Sequence, residues 1–286
     1  MKYAFFGTPE FAAIILERLI GAGLPPAALI CNPDRPVGRK KIITPPPAKQ
    51  SILDQQEDIR EQIEIFQPEK VSEIEEQLKA GNYDLFVVAA YGLIIPKRIL
   101  DIPRLGTIGI HPSLLPHFRG ATPIQSALLS NEKETGVSLF MVDEKVDHGS
   151  ILSEEVLESY ELTSLTYPAL HDALARLGAE MLIKTLPNIE RAIKEAKPQD
   201  ESKATFTSKF KTEDGFVDEK NLEEALSGTN SEQAVIIDKK IRALGMEPGV
   251  YTIRNKERTK LLEAEVHQGK LILKRIQVAG KTPRTF

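Results

Sequence analysis

Residues 84–90 are Asp84-Leu85-Phe86-Val87-Val88-Ala89-Ala90, an apolar run of strand length that follows a single aspartate. A strand with one face in water alternates polar and apolar residues, whereas a continuous apolar run is typical of a parallel strand covered on both faces. Such strands occur mainly in α/β proteins, where helices pack against the sheet. This stretch therefore predicts the centre of a mainly parallel sheet.

The segments on either side of this run alternate between strand and helix patterns. Short apolar runs predict strands at 3–6, 25–31, 63–66, 107–111, 135–142 and 151–157. Helical spacing predicts helices at 10–20, 71–79, 123–129 and 162–196, with Pro168 and Pro187 as start or break points. Because strands and helices alternate, we expect an α/β fold with a doubly wound, mainly parallel sheet.

A polar segment that begins at Lys197 separates this pattern from a different one. Beyond it, helices are predicted at 222–226 and 232–244, and short strands at 250–254, 259–266 and 270–278. About 80 residues with short strands suit a small barrel or sandwich. The predicted division is an α/β domain at 1–196, a linker at 197–206 and a smaller β-barrel-like domain at 207–286.

Composition places the chain among ordinary globular proteins. Its 286 residues suggest about two domains, and 41% apolar against 27% charged residues excludes a collagen or a disordered chain. No apolar run is long enough for a membrane helix, so no membrane association is expected. The single Cys31 cannot form an internal disulfide, is predicted to be buried and inert, and favours the reducing cytoplasm.

The net charge of −4 is unevenly distributed along the chain. Residues 250–286 hold nine basic and three acidic residues, and a second basic segment contains Arg35, Arg39, Lys40, Lys41 and Lys49. Clustered Lys and Arg suit a polyanionic partner such as nucleic acid. A surface that compensates its own charges explains the same counts, and charge alone leaves both interpretations open.

Two residues stand where a sheet of this kind places reactive side chains. His111 ends an apolar strand and opens a proline-bounded loop, and Asp147 precedes Gly149 just before another apolar run. Ligand crevices form outside the carboxyl ends of parallel strands. A carboxylate beside an imidazole can orient it and help it to move a proton or stabilise an oxyanion. The alternative is a histidine that caps a strand and an aspartate in a turn.

Motifs around these two residues resemble those of one enzyme family. The central motif is Ser113-Leu114-Leu115-Pro116-His117-Phe118-Arg119-Gly120, with His111 upstream and Asp147-His148-Gly149 downstream. Supporting stretches lie at 5–11, 32–41, 65–70, 88–96, 241–244, 248–251 and 273–281. Together they are similar to the folate-dependent formyltransferases over nearly the full length. The early basic loop and the second domain point to the branch that acts on initiator tRNA.

The resemblance implies an enzyme of translation initiation that transfers a formyl group from 10-formyltetrahydrofolate to the α-amine of initiator methionyl-tRNA. It implies that the catalytic residues are His111, facing the formyl oxygen, and Asp147, which orients His111 and assists proton removal. The amine must be neutral to attack, and the developing oxyanion must be stabilised. No Cys/His cluster has metal-ligand spacing, so no metal is expected. The expected protein is a cytoplasmic monomer.

The resemblance also assigns binding residues. The folate site would contain Ser113, Leu114, Leu115, Pro116, Tyr91 and Gly92. Phe11 would pack near the methionyl side chain, although a core role is about as consistent with its position. Arg39, Lys40 and Lys41 would meet the acceptor stem of the tRNA. The expected phosphate contacts of the second domain are Arg254, Lys256, Arg258, Lys274 and Lys281.

One residue departs from the family pattern. The family places an asparagine two residues before the catalytic histidine, whereas this chain has Gly109. The asparagine amide is an expected oxyanion donor, and loss of one such donor can reduce the rate by about a hundredfold or more. A neighbouring group such as His148 could replace it. Otherwise the chain is a catalytically impaired folate- or tRNA-binding homologue, or it formylates another amine.

Overall fold

The computed structural model describes residues 1–38, 40–130, 132–157, 164–254 and 256–286. The strands in these residues are β1 (Tyr3–Gly7), β2 (Ala28–Ile30), β3 (Arg35–Val37), β4 (Ile42–Thr44), β5 (Glu64–Phe66), β6 (Leu85–Ala89), β7 (Thr107–His111), β8 (Arg119–Gly120), β9 (Gly136–Met141), β10 (Ile151–Val156), β11 (Phe206–Thr207), β12 (Tyr251–Arg254), β13 (Glu257–His267), β14 (Lys270–Val278) and β15 (Arg284–Thr285).

The α-helices are α1 (Glu10–Gly21), α2 (Pro47–Leu53), α3 (Glu57–Arg60), α4 (Glu75–Ala80), α5 (Lys97–Leu100), α6 (Pro123–Leu129), α7 (Tyr167–Thr185), α8 (Ile189–Lys194), α9 (Glu219–Ser227) and α10 (Ser231–Leu244). The predicted break at Pro187 is present, because α7 ends at Thr185 and a 3₁₀ turn, Leu186–Asn188, leads into α8. Proline lacks the N–H that would continue the α-helix.

The first sheet has seven strands in the order β10-β9-β7-β6-β1-β2-β5. Five of them are parallel, and β9 runs antiparallel between β7 and β10. The apolar run at 85–89 forms β6, the middle strand, in which four of the five residues are buried. The predicted doubly wound, mainly parallel sheet is confirmed, with one antiparallel strand in it.

Contacts divide the chain into two compact units. The first contains Met1–Gly120, His171–Phe206 and the described part of Thr135–Glu158. The second contains Thr207–Phe286 with the described residues of Ala121–Glu134 and Ser159–Leu170. In the second unit α6 packs against α10, and the Nζ atom of Lys239 in α10 donates to the backbone oxygen of Ser130, 3.0 Å away.

The second unit is built on an antiparallel sheet with the order β12-β13-β14-β15. The helices α9 and α10 pack on it, and their apolar residues, such as Leu222 and Ile237, are buried together with Leu261 and Leu271 of the sheet. The predicted fold class, a mainly parallel α/β sheet followed by a smaller C-terminal part built of short strands, is confirmed, and the structure adds that these strands are antiparallel.

The first sheet reverses its strand order between β1 and β6. From β1 the chain proceeds to β2 and β5 on one side, then returns to β6 and β7 on the other. The loops that follow β1 and β6 meet there, since the Thr8 hydroxyl donates to the backbone oxygen of Tyr91 at 3.4 Å. Such switch points form the ligand crevice of doubly wound sheets.

Candidate active site

His111 is the last residue of β7 and lies at the carboxyl end of that strand, next to β6. Its side chain is buried, with 6% of the residue exposed. Its Nε2 atom lies 3.0 Å from the backbone oxygen of Phe118. A carbonyl oxygen can only accept a hydrogen bond, so Nε2 carries a proton in this conformation. The imidazole therefore already donates to a carbonyl oxygen.

Asp147 lies on the loop between β9 and β10 and is brought to the other side of the same imidazole. Its Oδ2 atom lies 3.6 Å from Nδ1 of His111, which is an ion-pair distance slightly longer than a hydrogen bond. The same oxygen accepts from the backbone N–H of Gly120 at 2.8 Å. The two residues predicted to form the catalytic pair are thus neighbours. Such contacts are often loose before substrate binds.

The loop at 113–116 is held by hydrogen bonds between serine hydroxyls and backbone groups. The Ser113 hydroxyl donates to the backbone oxygen of His117 at 2.6 Å, and the Leu115 N–H donates to the Ser138 hydroxyl at 2.9 Å. Ser113, Leu115 and Pro116 are buried, while Leu114 is half-buried. The Ser113 side chain is therefore engaged within the loop, and Leu114 is the more accessible side chain of the four predicted folate contacts there.

Tyr91 and Gly92 lie on the loop after β6. The Tyr91 ring is 2% exposed and packs edge-on against Phe6, with 5.4 Å between ring centroids. Burial raises the pKa of its hydroxyl, which has no hydrogen-bond partner among the described residues. Gly92 has a φ of +82° and open space where a Cβ would stand. Of the two folate contacts predicted on this loop, Gly92 is therefore the accessible one and Tyr91 is not.

Phe11 is buried in α1 and contacts His171 of α7 edge-on, with 5.5 Å between ring centroids. Burial lowers the pKa of His171. This packing satisfies the core role that the sequence left open for Phe11. A contact with the methionyl side chain stays a prediction.

Of the predicted acceptor-stem residues, Lys40 and Lys41 lie between β3 and β4, at the tip of the hairpin. Lys40 and Lys41 are exposed, and Arg39 lies outside the described residues. All six strand residues of the hairpin are exposed as well. At its base the Nζ atom of Lys49 donates to both carboxylate oxygens of Asp34 at 2.9 Å. The Gln67 and Lys49 side chains that donate to it lower the pKa of Asp34.

Arg119 of the central motif is one of the largest fully buried side chains, although arginine is rarely buried unless paired. Its guanidinium binds both carboxylate oxygens of Glu201, at 2.6 and 3.1 Å. The hydrogen bonds from Arg119 hold the pKa of Glu201 below its usual value. Sequence reasoning placed Glu201 in a solvated linker and missed this pair. A polar residue that lies close to the motif only through the fold leaves no local signal.

His148 does not supply a donor near position 109. Its Nδ1 atom lies 2.6 Å from Oδ2 of Asp143, and its Nε2 atom lies 3.5 Å from Oε1 of Glu201. Both ring nitrogens thus face carboxylates. The suggestion that His148 replaces the family asparagine has no support in this geometry.

Gly109 is paired directly with Phe140 of β9. A Cβ at position 109 would collide with the Cε1 atom of Phe140 and lie 2.6 Å from its Cζ atom. The same ring meets His111 edge-on, with 6.4 Å between centroids and an interplanar angle of 85°. Because side chains at 109 and 111 point to the same face of β7, the Phe140 ring fills the space beside the imidazole where another side chain would start.

Most of the basic residues predicted to contact phosphates in the second unit have acidic partners. Arg254 binds Glu219 and Glu223, Lys274 binds Glu265, and Lys281 lies 4.0 Å from Glu257. Arg258 stacks over the Tyr251 ring, with its guanidinium carbon 3.6 Å from the ring centroid.

Within the described ranges, no group of three or more His, Cys, Asp or Glu residues could hold a metal ion. In the same residues no helix has both the length and the apolar character of a bilayer span.

Comparison with known proteins defines the class of this fold and site. The sequence matches the family described as formyl transferase over residues 1–186, more than half of the chain. The methionyl-tRNA formyltransferase of Staphylococcus epidermidis (strain ATCC 12228 / FDA PCI 1200) is 40% identical over 271 residues, which are 94% of this chain and 81% of that protein. The chain belongs to the methionyl-tRNA formyltransferase family.

Solved structures agree with the fold. The methionyl-tRNA formyltransferase from Clostridium thermocellum superposes with a TM-score of 0.58 at 19% identity, covering 97% of this chain and 98% of that one. HypX from Aquifex aeolicus, in complex with tetrahydrofolic acid, superposes with a TM-score of 0.63 at 14% identity. That match covers 99% of this chain and 45% of HypX. At these identities the likeness concerns the fold alone.

Proposed function

We propose that the protein transfers a formyl group from 10-formyltetrahydrofolate to the α-amine of initiator methionyl-tRNA. The observation that carries the proposal is the buried imidazole of His111, which has a carbonyl oxygen 3.0 Å from Nε2 and a carboxylate oxygen 3.6 Å from Nδ1. An imidazole that donates on one side and faces a carboxylate on the other suits acyl transfer. Family membership supplies the reaction.

The residues present fit a folate co-substrate. The Nε2–H group of His111 donates to the Phe118 carbonyl oxygen, and a formyl oxygen could accept the same hydrogen bond. On the loop after the neighbouring strand β6, the Gly92 backbone has open space where a side chain would stand. When bound, the folate supplies an activated formyl group. We propose that Leu114 and the backbone of 91–92 hold its ring system.

The roles of the chain's own residues follow from this arrangement. His111 donates from Nε2 to the formyl oxygen in place of the Phe118 carbonyl and stabilises negative charge that develops there. Asp147 faces Nδ1 and stabilises the positive charge that the imidazole gains when it holds a second proton. Because the attacking amine must lose a proton as its nitrogen bonds to the formyl carbon, the His111–Asp147 pair can receive that proton and return it to the leaving nitrogen of the folate.

The proposed acceptor, tRNA, is a polyanion, and the exposed hairpin β3–β4 carries lysines that can bind its phosphates. Lys40 and Lys41 lie at its tip in solvent, where lysines can bind phosphates as point charges. Arg258, stacked on Tyr251 in the second unit, is the further contact that we propose.

We also propose that the protein acts as a monomer in the cytoplasm, where a free thiol such as buried Cys31 persists. Burial raises the pKa of that thiol to about 12.

The test is a formylation assay with purified protein, 10-formyltetrahydrofolate and charged initiator tRNA. Formylmethionyl-tRNA is the expected product, and it should require both substrates. Free methionine and a nucleotide-linked amino sugar serve as alternative acceptors in the same assay. Turnover of either of these at a rate comparable with the tRNA, or no product from the tRNA at saturation, contradicts the proposal.

A further inference from the structure

A buried glutamine in the segment after α8 contacts the loop that carries Asp147. Gln199 is 9% exposed, although Pro198 and Asp200 beside it are exposed. Its Nε2 atom donates to the backbone oxygens of Asp147 at 2.9 Å and Gly149 at 2.8 Å. Its Oε1 atom accepts from Nε and Nη2 of Arg119, at 3.0 and 2.7 Å. A primary amide offers two donors and two acceptor sites, so all four are used.

The orientation of this amide follows from its partners. In the reversed orientation the Gln199 oxygen would face two carbonyl oxygens, and its NH₂ group would face a guanidinium. Both arrangements are repulsive, so the network permits only the orientation described. A buried polar network in which every member is satisfied holds its parts in one geometry.

The loop that Gln199 holds needs support from outside. Asp147 has a φ of +48°, in the left-handed region that residues with a Cβ seldom adopt. The carbonyls of Asp147 and Gly149 bracket the turn, so the two N–H donors of Gln199 fix it on both sides of His148. The position of the Asp147 carboxylate relative to His111 depends on that turn.

The oxygen of the Gln199 amide holds a second loop, the one that contains Arg119. Arg119 directly precedes Gly120, whose N–H donates to Oδ2 of Asp147 at 2.8 Å. One side chain therefore ties together the turn that carries the carboxylate and the backbone that binds it. The Arg119 N–H also donates to the backbone oxygen of Thr205 at 2.9 Å, so the segment after Gln199 contacts this loop through its backbone as well.

We propose that Gln199 is a positioning residue for catalysis, which sets the Asp147 carboxylate against His111 by holding the backbone at 147–149. This inference rests on the proposed function. Gln199→Glu is the informative variant, since it keeps an acceptor for Arg119 but places oxygen where two donors are needed. Gln199→Met has a side chain of similar length but loses both the donors to Asp147 and Gly149 and the acceptor for Arg119. Asp200→Asn is the matched control, because among the described residues the Asp200 side chain binds Ser202 and Lys203 of its own turn and neither Asp147 nor Arg119.

Both Gln199 variants should lower kcat by about 10–100-fold, the range for losing a hydrogen-bond partner that orients a functional group. The KM values for folate and tRNA should stay within about twofold of the wild type. Asp200→Asn should keep the wild-type kcat. In an Asp147→Asn background, measured in single turnover, Gln199→Glu should cause no further loss, because its effect passes through Asp147. A merely structural residue would instead reduce the rate of the Asp147→Asn enzyme by the same factor again, and that result overturns the proposal.

Hydrogen exchange of the Gly120 amide gives a readout that needs no activity. It should be protected in the wild type and in Asp200→Asn, and should exchange faster in both Gln199 variants while the core amides stay protected. Unchanged protection of Gly120, or a wild-type kcat in Gln199→Glu, contradicts the positioning role. If the wild type itself forms no product, the proposed function fails, and the exchange data still decide whether Gln199 holds the loop.

Discussion

The loop after β7 and the hairpin β3–β4 are both predicted to contact substrate, yet they are built in opposite ways. At the site, His111 is buried, Asp147 is half-buried, and both are hydrogen-bonded to the backbone, His111 to the Phe118 carbonyl and Asp147 to the Gly120 N–H. In the hairpin every strand residue is exposed, and Val37, Ile42 and Ile43 are each more than half exposed. Chemistry requires groups fixed to within fractions of an ångström, whereas capture of a polyanion requires charge that solvent and salt can reach.

The largest effect should follow from removing the imidazole. His111→Ala should reduce kcat by about 10²–10⁴-fold, the range of a lost acid–base group. Folate affinity, measured by fluorescence or calorimetry, should stay within about threefold. His267→Ala, an exposed histidine at the end of β13, is the matched control and should keep full activity. A kcat within tenfold of wild type in His111→Ala would remove this residue from the mechanism.

Asp147→Asn should have a smaller effect, of about 10²-fold in kcat. The amide oxygen can still accept from the Gly120 N–H, so the loop is kept, while the negative charge that faces Nδ1 of His111 is lost. The measurement is kcat with both substrates saturating, together with hydrogen exchange of Gly120. Loss of activity accompanied by loss of Gly120 protection would assign the effect to the loop and not to the charge.

A side chain at position 109 should disturb packing before it can contribute to catalysis. Gly109→Asn should lower the free energy of unfolding by about 1–3 kcal/mol, the cost of overpacking a core, because its Cβ lies 2.6 Å from the Cζ atom of Phe140. Phe140→Leu in the same chain should recover part of that loss. Urea denaturation of the two single variants and the double variant measures the coupling.

If the two effects are simply additive, the Phe140 ring is not the obstacle. A rise in kcat in Gly109→Asn alone, without loss of stability, would show that the glycine impairs the native enzyme. This pair also explains why the sequence could not settle position 109. The absence of the family asparagine was visible, but its consequence depends on Phe140, which faces it from another strand.

The central sheet was predictable because its signals are local. The apolar run at 85–89, the proline at 187 and the strand ending at His111 each mark an element within a few residues. Motif resemblance then located His111 and Asp147, 36 residues apart in the sequence, as a pair.

The contacts that hold this pair could not be predicted in the same way. Gln199 and Glu201 lie in a polar stretch whose composition is that of a linker, and only the fold brings them to Arg119. Ser113 stays a predicted folate contact, but the motif gave no sign that its hydroxyl donates to the His117 carbonyl within the same loop. Side chains that act through tertiary contacts leave no periodic or compositional signal in the chain.

The hairpin should affect substrate affinity and leave the chemistry unchanged. Replacing Lys40 and Lys41 together by alanine should raise KM for tRNA several-fold and leave kcat unchanged. The slope of log affinity against log salt should fall by about one to two, since each phosphate contact contributes roughly one counterion. The control removes two charges that are paired with acidic residues elsewhere in the first unit, by Lys79→Ala and Lys97→Ala. An equal salt slope in wild type and hairpin variant would exclude these lysines from the interface.

The smallest expected effect is on stability, and it follows from replacing Glu201, the exposed partner of the buried Arg119. Arg119 holds the pKa of Glu201 below its usual value, so the carboxylate is stabilised in the folded state. A lowered pKa contributes stability that is complete above the unfolded-state value of about 4.5 and is lost as the pH falls through the lower folded-state value. Glu201→Gln should therefore lower the urea midpoint by a constant amount at neutral pH and by progressively less as the solution is acidified below about pH 4.5. Because the Glu201 side chain is 58% exposed, solvent screens the pair and the difference should be modest. A difference that stays constant down to about pH 2 would mean that the carboxylate charge contributes nothing, and that the Glu201 side chain acts only as a hydrogen-bond acceptor for Arg119.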